Sequence, residues 1–399
     1  MKNKKIMILG ASILQLPAIR TAREMGLQVV AVDMNPDAVG FLEPGIQKEV
    51  ISTIDIPKVL EAARRHEIDG IMTLASDMPM VTVAAVAKEL GCVGITEETA
   101  IKATNKAQMR KALCQAGVPI PKFYKVTNRS EYAQAVGAIK GPFMVKPADS
   151  SGSRGIIKVD PTASSETVAQ AYDYSMKNTR KGELVVEEYM QGPEVSVETL
   201  TIDGICQVIQ ITDKRTTGAP HFVEMGHSQP TAFDAAMAEQ IRAVAVAANR
   251  AVGITNGPSH TEIIVTEEGP KVVELGARLG GDCITTHLVP LSTGVDMVRC
   301  CIRIALGEEP DWHAKWEKGS AIRYFSQSPG MIRSIRGLTE AEAIPGVKQI
   351  SIVHGVGETV TEINSSGARI GFVIACGETA EEAAQRCQEA MDQVKITIE

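Results

Sequence analysis

Residues 259–281 read SHTEIIVTEEGPKVVELGARLGG. Two β-rich runs flank the turn residues Glu267, Glu268 and Gly269, so a hairpin is expected. With a three-residue loop Thr266 pairs with Pro270, and the same register sets Glu262 opposite Glu274. Cross-strand partners carry Cβ atoms ~4.5–5.5 Å apart. Two carboxylates at that distance repel, and neither tolerates burial unless it is protonated or compensated. A hard divalent cation is one compensation, and Mg²⁺ bridging nucleotide phosphates suits two carboxylates. The alternative is a solvated edge hairpin with both glutamates in water. Gly276, Arg278, Gly280 and Gly281 follow at once: glycines admit a ligand close to the backbone, and arginine offers a bidentate fork to an anion.

The chain around this hairpin has 399 residues, 44% hydrophobic and 22% charged. At roughly 150 residues per domain that suggests two to three domains, and it excludes disorder, collagen and coiled coil. Forty-one basic residues against 48 acidic ones give a net charge of −7. No Lys/Arg cluster tracks a phosphate backbone, so nucleic acid is not expected as a partner. The eight cysteines contain no C-x-x-C, which reads as thiols in a reducing compartment. Lys2, Lys4 and Lys5 before an apolar stretch imitate a secretory leader, but Ser12 and Gln15 interrupt it. No run reaches the ~18 apolar residues that span a bilayer, and a cytoplasmic location is expected.

Organisation changes twice along the chain. Residues 5–9 (KIMIL), 28–33 (QVVAVD) and 70–76 (GIMTLAS) read as buried strands alternating with helical patterns at 14–25 and 57–65. That is the signature of βαβ units and a parallel sheet. Residues 104–117 form a punctuated helix, with Thr104 or Asn105 as N-cap and Gly117 as the stop. After the Pro-rich 119–122 the chain favours hairpins to about residue 275. A last unit has strands at 320–325 and 370–376 and closes with a helix at 380–394. The expected domains are 1–98, an α/β unit; 99–310, α+β with a smaller subdomain at about 121–185; and 311–399, α+β.

Two further segments carry candidate chemistry. Residues 142–159 (PFMVKPADSSGSRGIIKV) place Lys146 at a strand end, then the small-residue loop Ser150, Ser151, Gly152, Ser153, Arg154 and Gly155, then another strand. Exposed backbone N–H groups there can cradle phosphate oxygens. It is no Walker A loop, because G-K-[ST] is missing and a strand follows; a plain hairpin tip is the other reading. Residues 185–198 (VVEEYMQGPEVSVE) offer Glu187, Glu188, Met190 and Glu194, which read as an acidic strand face or as acceptors for an adenine amino group and ribose hydroxyls.

Together these elements resemble the ATP-grasp superfamily over essentially the whole chain. They are an N-terminal α/β domain, N-K on a helix, K-P-x-x-S-S-G-S-R-G, E-E-Y-M, and Glu262…Glu274 with ELGAR. The layout is also similar to biotin carboxylase and to the formate-dependent glycinamide ribonucleotide transformylase, and FVEMGHSQP (222–230) looks more like the L-amino-acid ligases. The resemblance implies a Rossmann-like (pre-ATP-grasp) domain, a central ATP-grasp domain with a hairpin lid, and a small C-terminal α+β domain. It implies that Lys106 and Lys146 contact ATP phosphates beneath the loop of Ser150, Ser151, Gly152 and Ser153. Glu187 would meet the adenine amino group, with Glu188 beside it, Met190 the adenine edge, and Glu194 the ribose. Glu262 and Glu274 would hold Mg²⁺ or Mn²⁺. Arg278 would steady an acyl phosphate, and His227 a tetrahedral intermediate. Many relatives carry Asn two positions after the second metal glutamate; Gly276 stands here, which argues against a third protein ligand.

The implied activity is an ATP-dependent carboxylate–amine ligase working through an acyl phosphate, with an amino-acid substrate. The alternatives are a ligase or transferase acting on a nucleotide-pathway or carboxylation intermediate, and a non-catalytic nucleotide-binding module. A nicotinamide oxidoreductase is disfavoured, because GASILQ after the first strand lacks two glycines of G-x-G-x-x-G. The implied partners are small molecules, with a homodimer common among relatives.

Overall fold

The computed structural model describes residues 4–152 and 154–399. Strands β1 (Lys5–Leu9), β2 (Gln28–Asp33), β3 (Gln47–Val50) and β4 (Gly70–Thr73) form a parallel sheet in the order β3-β2-β1-β4. Successive side chains point to opposite faces, and here both faces are apolar. Met7, Leu9, Val30 and Val32 pack with Val59 on one side, while Ile6, Ile8, Val29 and Ala31 bury the other. That second face shares its core with the helices Leu16–Glu24 and Met297–Ala305, so a distant segment completes the N-terminal unit. Gly10 takes φ +98, and an added Cβ would lie 2.7 Å from the Gln15 side chain. Asp33 accepts from the Ala11 N–H at 2.8 Å and so braces its own sheet's first turn.

Strands β5 (Phe123–Val126), β6 (Phe143–Pro147), β7 (Ile157–Val159) and β8 (Leu184–Glu188) form an antiparallel sheet ordered β5-β8-β6-β7. The helices Arg129–Ala138 and Ser165–Met176 close it over Tyr132, Phe143, Val145, Tyr172, Leu184 and Val186. The serine–glycine loop joins β6 to β7, as the hairpin reading expects. Its Ser153 lies outside the described residues.

The rest of the chain supplies β9 (Glu194–Ile202), β10 (Ile205–Thr216), β11 (Glu224–Gln229), β12 (Gly257–Thr266), β13 (Gly269–Gly276), β14 (Gly319–Tyr324), β15 (Gly330–Arg336), β16 (Val347–Ile352), β17 (Thr359–Val360), β18 (Gly371–Gly377) and β19 (Lys395–Ile398). Eight of them build one antiparallel sheet, β13-β12-β9-β10-β11-β14-β18-β16, and β17-β15-β19 form a small second one. Asp203 and Gly204, both at positive φ, turn β9 into β10 as tight hairpins require. The helix Ala235–Val252, capped by Asp234, packs Ile241, Ala245 and Ala248 on Val195, Val197 and Ile263. Residues beyond 311 do not stand apart: β14 pairs with β11 from Gly226↔Arg323 to Gln229↔Ser320.

The helix expected at 104–117 spans Lys106–Gln115, with the Asn105 side chain accepting from the Gln108 N–H at 2.9 Å. Thr104 instead ends the preceding helix, Glu97–Thr104. All eight cysteines are unpaired. No helix among the described residues is long and apolar enough to cross a membrane.

Candidate active site

A cleft of about 620 Å³ opens between the β5–β8 sheet and the eight-stranded sheet. The hairpin β12–β13 forms one wall, but its turn is shorter than expected. Thr266 pairs with Gly269 and Val265 with Pro270, which corrects the three-residue loop. That change alone would take Glu274 out of register with Glu262. A bulge between Glu262 and Ile263 restores it, so Glu262 faces Glu274 after all. Each carboxylate is met by its own lysine: Glu262 Oε1 lies 3.0 Å from Lys214 Nζ, and Glu274 Oε1 lies 2.7 Å from Lys106 Nζ. Their Oε2 atoms accept no hydrogen bond among the described residues.

Lys214, on β10, was not singled out in the sequence. It is buried among Glu194 at 2.5 Å, Glu262 at 3.0 Å and Glu224 at 3.7 Å. Burial alone would lower its pKa, but the three carboxylates outweigh that and hold it well above the usual lysine range. Burial pushes Glu262 up, and Lys214 and His260 more than reverse this, leaving it well below the carboxylate range. In the sheet Lys214 pairs with His227 across β10 and β11, a neighbour that no local sequence signal announces. Behind Glu262, His260 Nδ1 sits 2.5 Å from Glu198 Oε1, deep in the sheet. Desolvation opposes a charge on that imidazole, yet Glu198 raises it to about 9.

Lys106 occupies the first turn of its helix, where Nζ also donates to the Ser150 carbonyl at 2.7 Å. An ammonium has three N–H donors, so one has no acceptor among the described residues. Ser151 and Gly152 line the cleft beside it. Gly155 closes the loop at φ +76, where a Cβ would fall 2.5 Å from that of Asn178.

Lys146 ends β6 and meets Glu187 Oε2 at 2.8 Å, while Arg110 Nε takes Glu187 Oε1 at 2.6 Å. Arg110, also missed in the sequence, donates further to the carbonyls of Val272 and Val273 and ties its helix to β13. Glu187 is fully buried; burial would raise its pKa, but Arg110 and Lys146 hold it at about 2. Both its oxygens are thus engaged by cations. An adenine amino group at Glu187 would have to share those oxygens with the two cations. Glu188 lies 3.5 Å from Lys271, and Glu188, Met190 and Glu194 all line the cleft.

Arg278 follows β13 and forms a two-point pair with Asp77 from the loop after β4: Nε to Oδ1 at 2.8 Å and Nη2 to Oδ2 at 3.2 Å. This pair explains Gly276. A Cβ there would lie 2.9 Å from Asp77 Oδ1, so an asparagine could not enter without displacing it. Among the described residues no group of three His, Cys, Asp or Glu side chains is set to hold a metal. His227 also lines the cleft, buried on β11, with Nε2 3.4 Å from Asp282 Oδ2.

Residues 139–286 match the ATP-grasp domain family, and residues 323–399 match the family described as L-amino acid ligase C-terminal domain 2. The chain is 25% identical over 298 residues to the alanine–anticapsin ligase of Bacillus subtilis (strain 168), a match covering 69% of this chain and 62% of that ligase, less than two thirds of its length. The L-amino acid ligase structure from Bacillus licheniformis superposes with a TM-score of 0.86 at 23% identity, covering 100% of both chains. A phosphoribosylglycinamide synthetase structure from Anaerococcus prevotii gives 0.81 at 21% identity, also over 100% of both. At such identities the two structures share the fold.

Proposed function

This chain is an ATP-grasp enzyme, an ATP-dependent carbon–nitrogen ligase, and on that premise we propose that it joins an amino acid's carboxylate to an amine through an acyl phosphate. The carboxylate oxygen attacks the γ-phosphorus of ATP, the bond to the β–γ bridging oxygen breaks, and ADP leaves. The amine nitrogen then attacks the acyl carbon and loses a proton, the bond from that carbon to the phosphate oxygen breaks, and inorganic phosphate departs with the oxygen and the electron pair.

The protein's share is positioning and charge neutralisation. Lys106 and Lys146 flank the phosphates, with the Ser151–Gly152 backbone closing above. Arg278 faces the transferred phosphoryl group once Asp77 shares it. His227 donates to the oxyanion of the tetrahedral intermediate. Met190 contributes to the adenine wall, and Glu194 reaches the ribose. Contacts of this kind contribute on the order of 10²–10³ each in rate.

Glu262 and Glu274 fit a hard divalent ion: two carboxylates share one register, and each keeps an oxygen with no donor among the described residues. Mg²⁺ there would neutralise phosphate charge, with phosphate oxygens and water completing its shell.

The observation that carries the amino-acid reading is the match of residues 323–399 to an L-amino acid ligase C-terminal domain. A second reading, a ligase acting on a nucleotide-pathway intermediate, draws on the phosphoribosylglycinamide synthetase fold. The carboxylates near His227 speak against it. Glu224 and Asp282 line the cleft there, and the cation beside them, Arg369, is engaged by Asp282, a poor reception for a substrate phosphate. A panel of amino-acid pairs with Mg²⁺ and ATP, read by ADP release and product mass, tests the proposal. Dipeptide mass with stoichiometric ADP is expected. ADP release only with a ribosylamine would replace this reading with the second.

A further inference from the structure

His227 Nδ1 is out of contact with solvent and has no hydrogen-bond partner among the described residues. The other ring nitrogen faces Asp282 at 3.4 Å. Asp282 in turn takes a two-point contact from Arg369, with Nη2 on Oδ1 at 2.8 Å and Nη1 on Oδ2 at 2.9 Å. Arg369 comes from the segment just before β18 and is itself immobilised. Its Nε donates to the Ser366 carbonyl at 2.9 Å, Nη1 also reaches the Glu224 carbonyl at 3.0 Å, and its guanidinium stacks 3.7 Å from the Tyr324 ring centroid. Asp282 and Cys283 both hold left-handed backbone, φ +47 and +61. Non-glycine residues held in that region are strained, and such strain concentrates at functional sites.

Burial pushes the Asp282 carboxyl up, but His227 and Arg369 more than offset this and keep it far below the carboxylate range. An ionised carboxylate only accepts. The nitrogen facing it therefore carries the proton, and Nδ1, with nothing to donate to, stays bare. We propose that Asp282 and Arg369 are positioning residues for His227: Arg369 aims Asp282, and Asp282 holds the imidazole as its Nε2–H tautomer. The contact to Asp282 is long, 3.4 Å, and Nδ1 is enclosed, so His227 meets the reacting centre through that same Nε2–H, shared with Asp282, as a hydrogen-bond donor and not as a base. This rests on the role given to His227 in the proposed ligase reaction.

Nitrogen-15 NMR of the histidine-labelled full chain reads the tautomer directly. The wild type should show His227 protonated at Nε2, and Asp282→Asn should shift it toward Nδ1–H. A wild-type Nδ1–H form overturns the proposal whether or not the variant folds. In steady-state assays, Asp282→Asn and Arg369→Lys should each lower kcat roughly 10- to 100-fold, as partners that orient a reacting group do, with KM for ATP within about twofold. Because Asp282 acts through His227, the double variant His227→Ala/Asp282→Asn should be no slower than His227→Ala; multiplied losses refute the relay. An inactive His227→Ala beside a fully active Asp282→Asn sinks the positioning claim alone. A fully active His227→Ala sinks the role of His227 itself.

Discussion

Glu262 and Glu274 are cross-strand partners, yet they answer to different lysines, Lys214 on β10 and Lys106 on a separate helix. Each carboxylate is thereby set against its own ammonium, and a divalent cation could be added beside them without first recruiting new side chains. Glu274→Ala and Glu262→Gln are each expected to cut ADP formation at least 10²–10³-fold. Chelation with EDTA should abolish turnover in the wild type, and Mg²⁺ should restore it. A Glu274→Ala protein with normal ADP release would remove the metal assignment.

The Glu198–His260 pair sets a pH dependence on stability. His260 titrates at about 9 in the folded chain against an ordinary 6.5. A raised histidine contributes fully below its unfolded pKa, and the contribution drains away as pH climbs to the folded one. The stability gap between wild type and His260→Gln should therefore be widest near pH 6 and shrink by about 1.4 kcal/mol per pH unit up to 9. Urea denaturation at stepped pH measures it; a gap that widens with pH contradicts the pairing.

Arg110→Met leaves Glu187 buried with one cation where it had two. Breaking a buried pair from one side costs about 3–5 kcal/mol. The loss should appear as a lower urea midpoint, and Glu187→Gln should recover part of it in the Arg110→Met background by removing the stranded charge.

Gly155→Ala asks for a side chain at φ +76 with its Cβ 2.5 Å from that of Asn178. The loop must shift, so KM for ATP should rise several-fold while the unfolding midpoint of the whole chain moves little. Gly152→Ala, with open space around its Cβ, meets only the positive φ and should show a smaller effect. Equal KM values for the two variants would argue against steric closure at Gly155.

Much of this site could be read from spacing, but not all for the right reason. The pairing of Glu262 with Glu274 was anticipated through a loop one residue too long, and a bulge that no local signal announced cancelled the error. Hairpins such as β6–β7 and β12–β13 were legible because turn chemistry and alternation are local. Lys214, Arg110, Asp77 and Arg369 were not, since each gains its meaning from a partner on a distant element. Asp77 meets Arg278 and Arg369 meets Asp282 only once the three regions pack. Gly276 was noticed as a departure, but its cause, the volume taken by Asp77, exists only in three dimensions. For the same reason the union of β11 with β14 escaped notice: strands nearly a hundred positions apart carry no shared punctuation.

That union constrains how the chain can be cut or grafted. β11 carries His227 and has β10 on one flank and β14 on the other. A truncation before Gly319 would leave β11 as a raw margin whose unsatisfied amides invite another molecule to dock, a recipe for insoluble aggregates. A chimera that exchanges the last hundred residues for a relative's must carry a strand able to knit into β11, or the swapped piece will disarm the reaction it was meant to redirect.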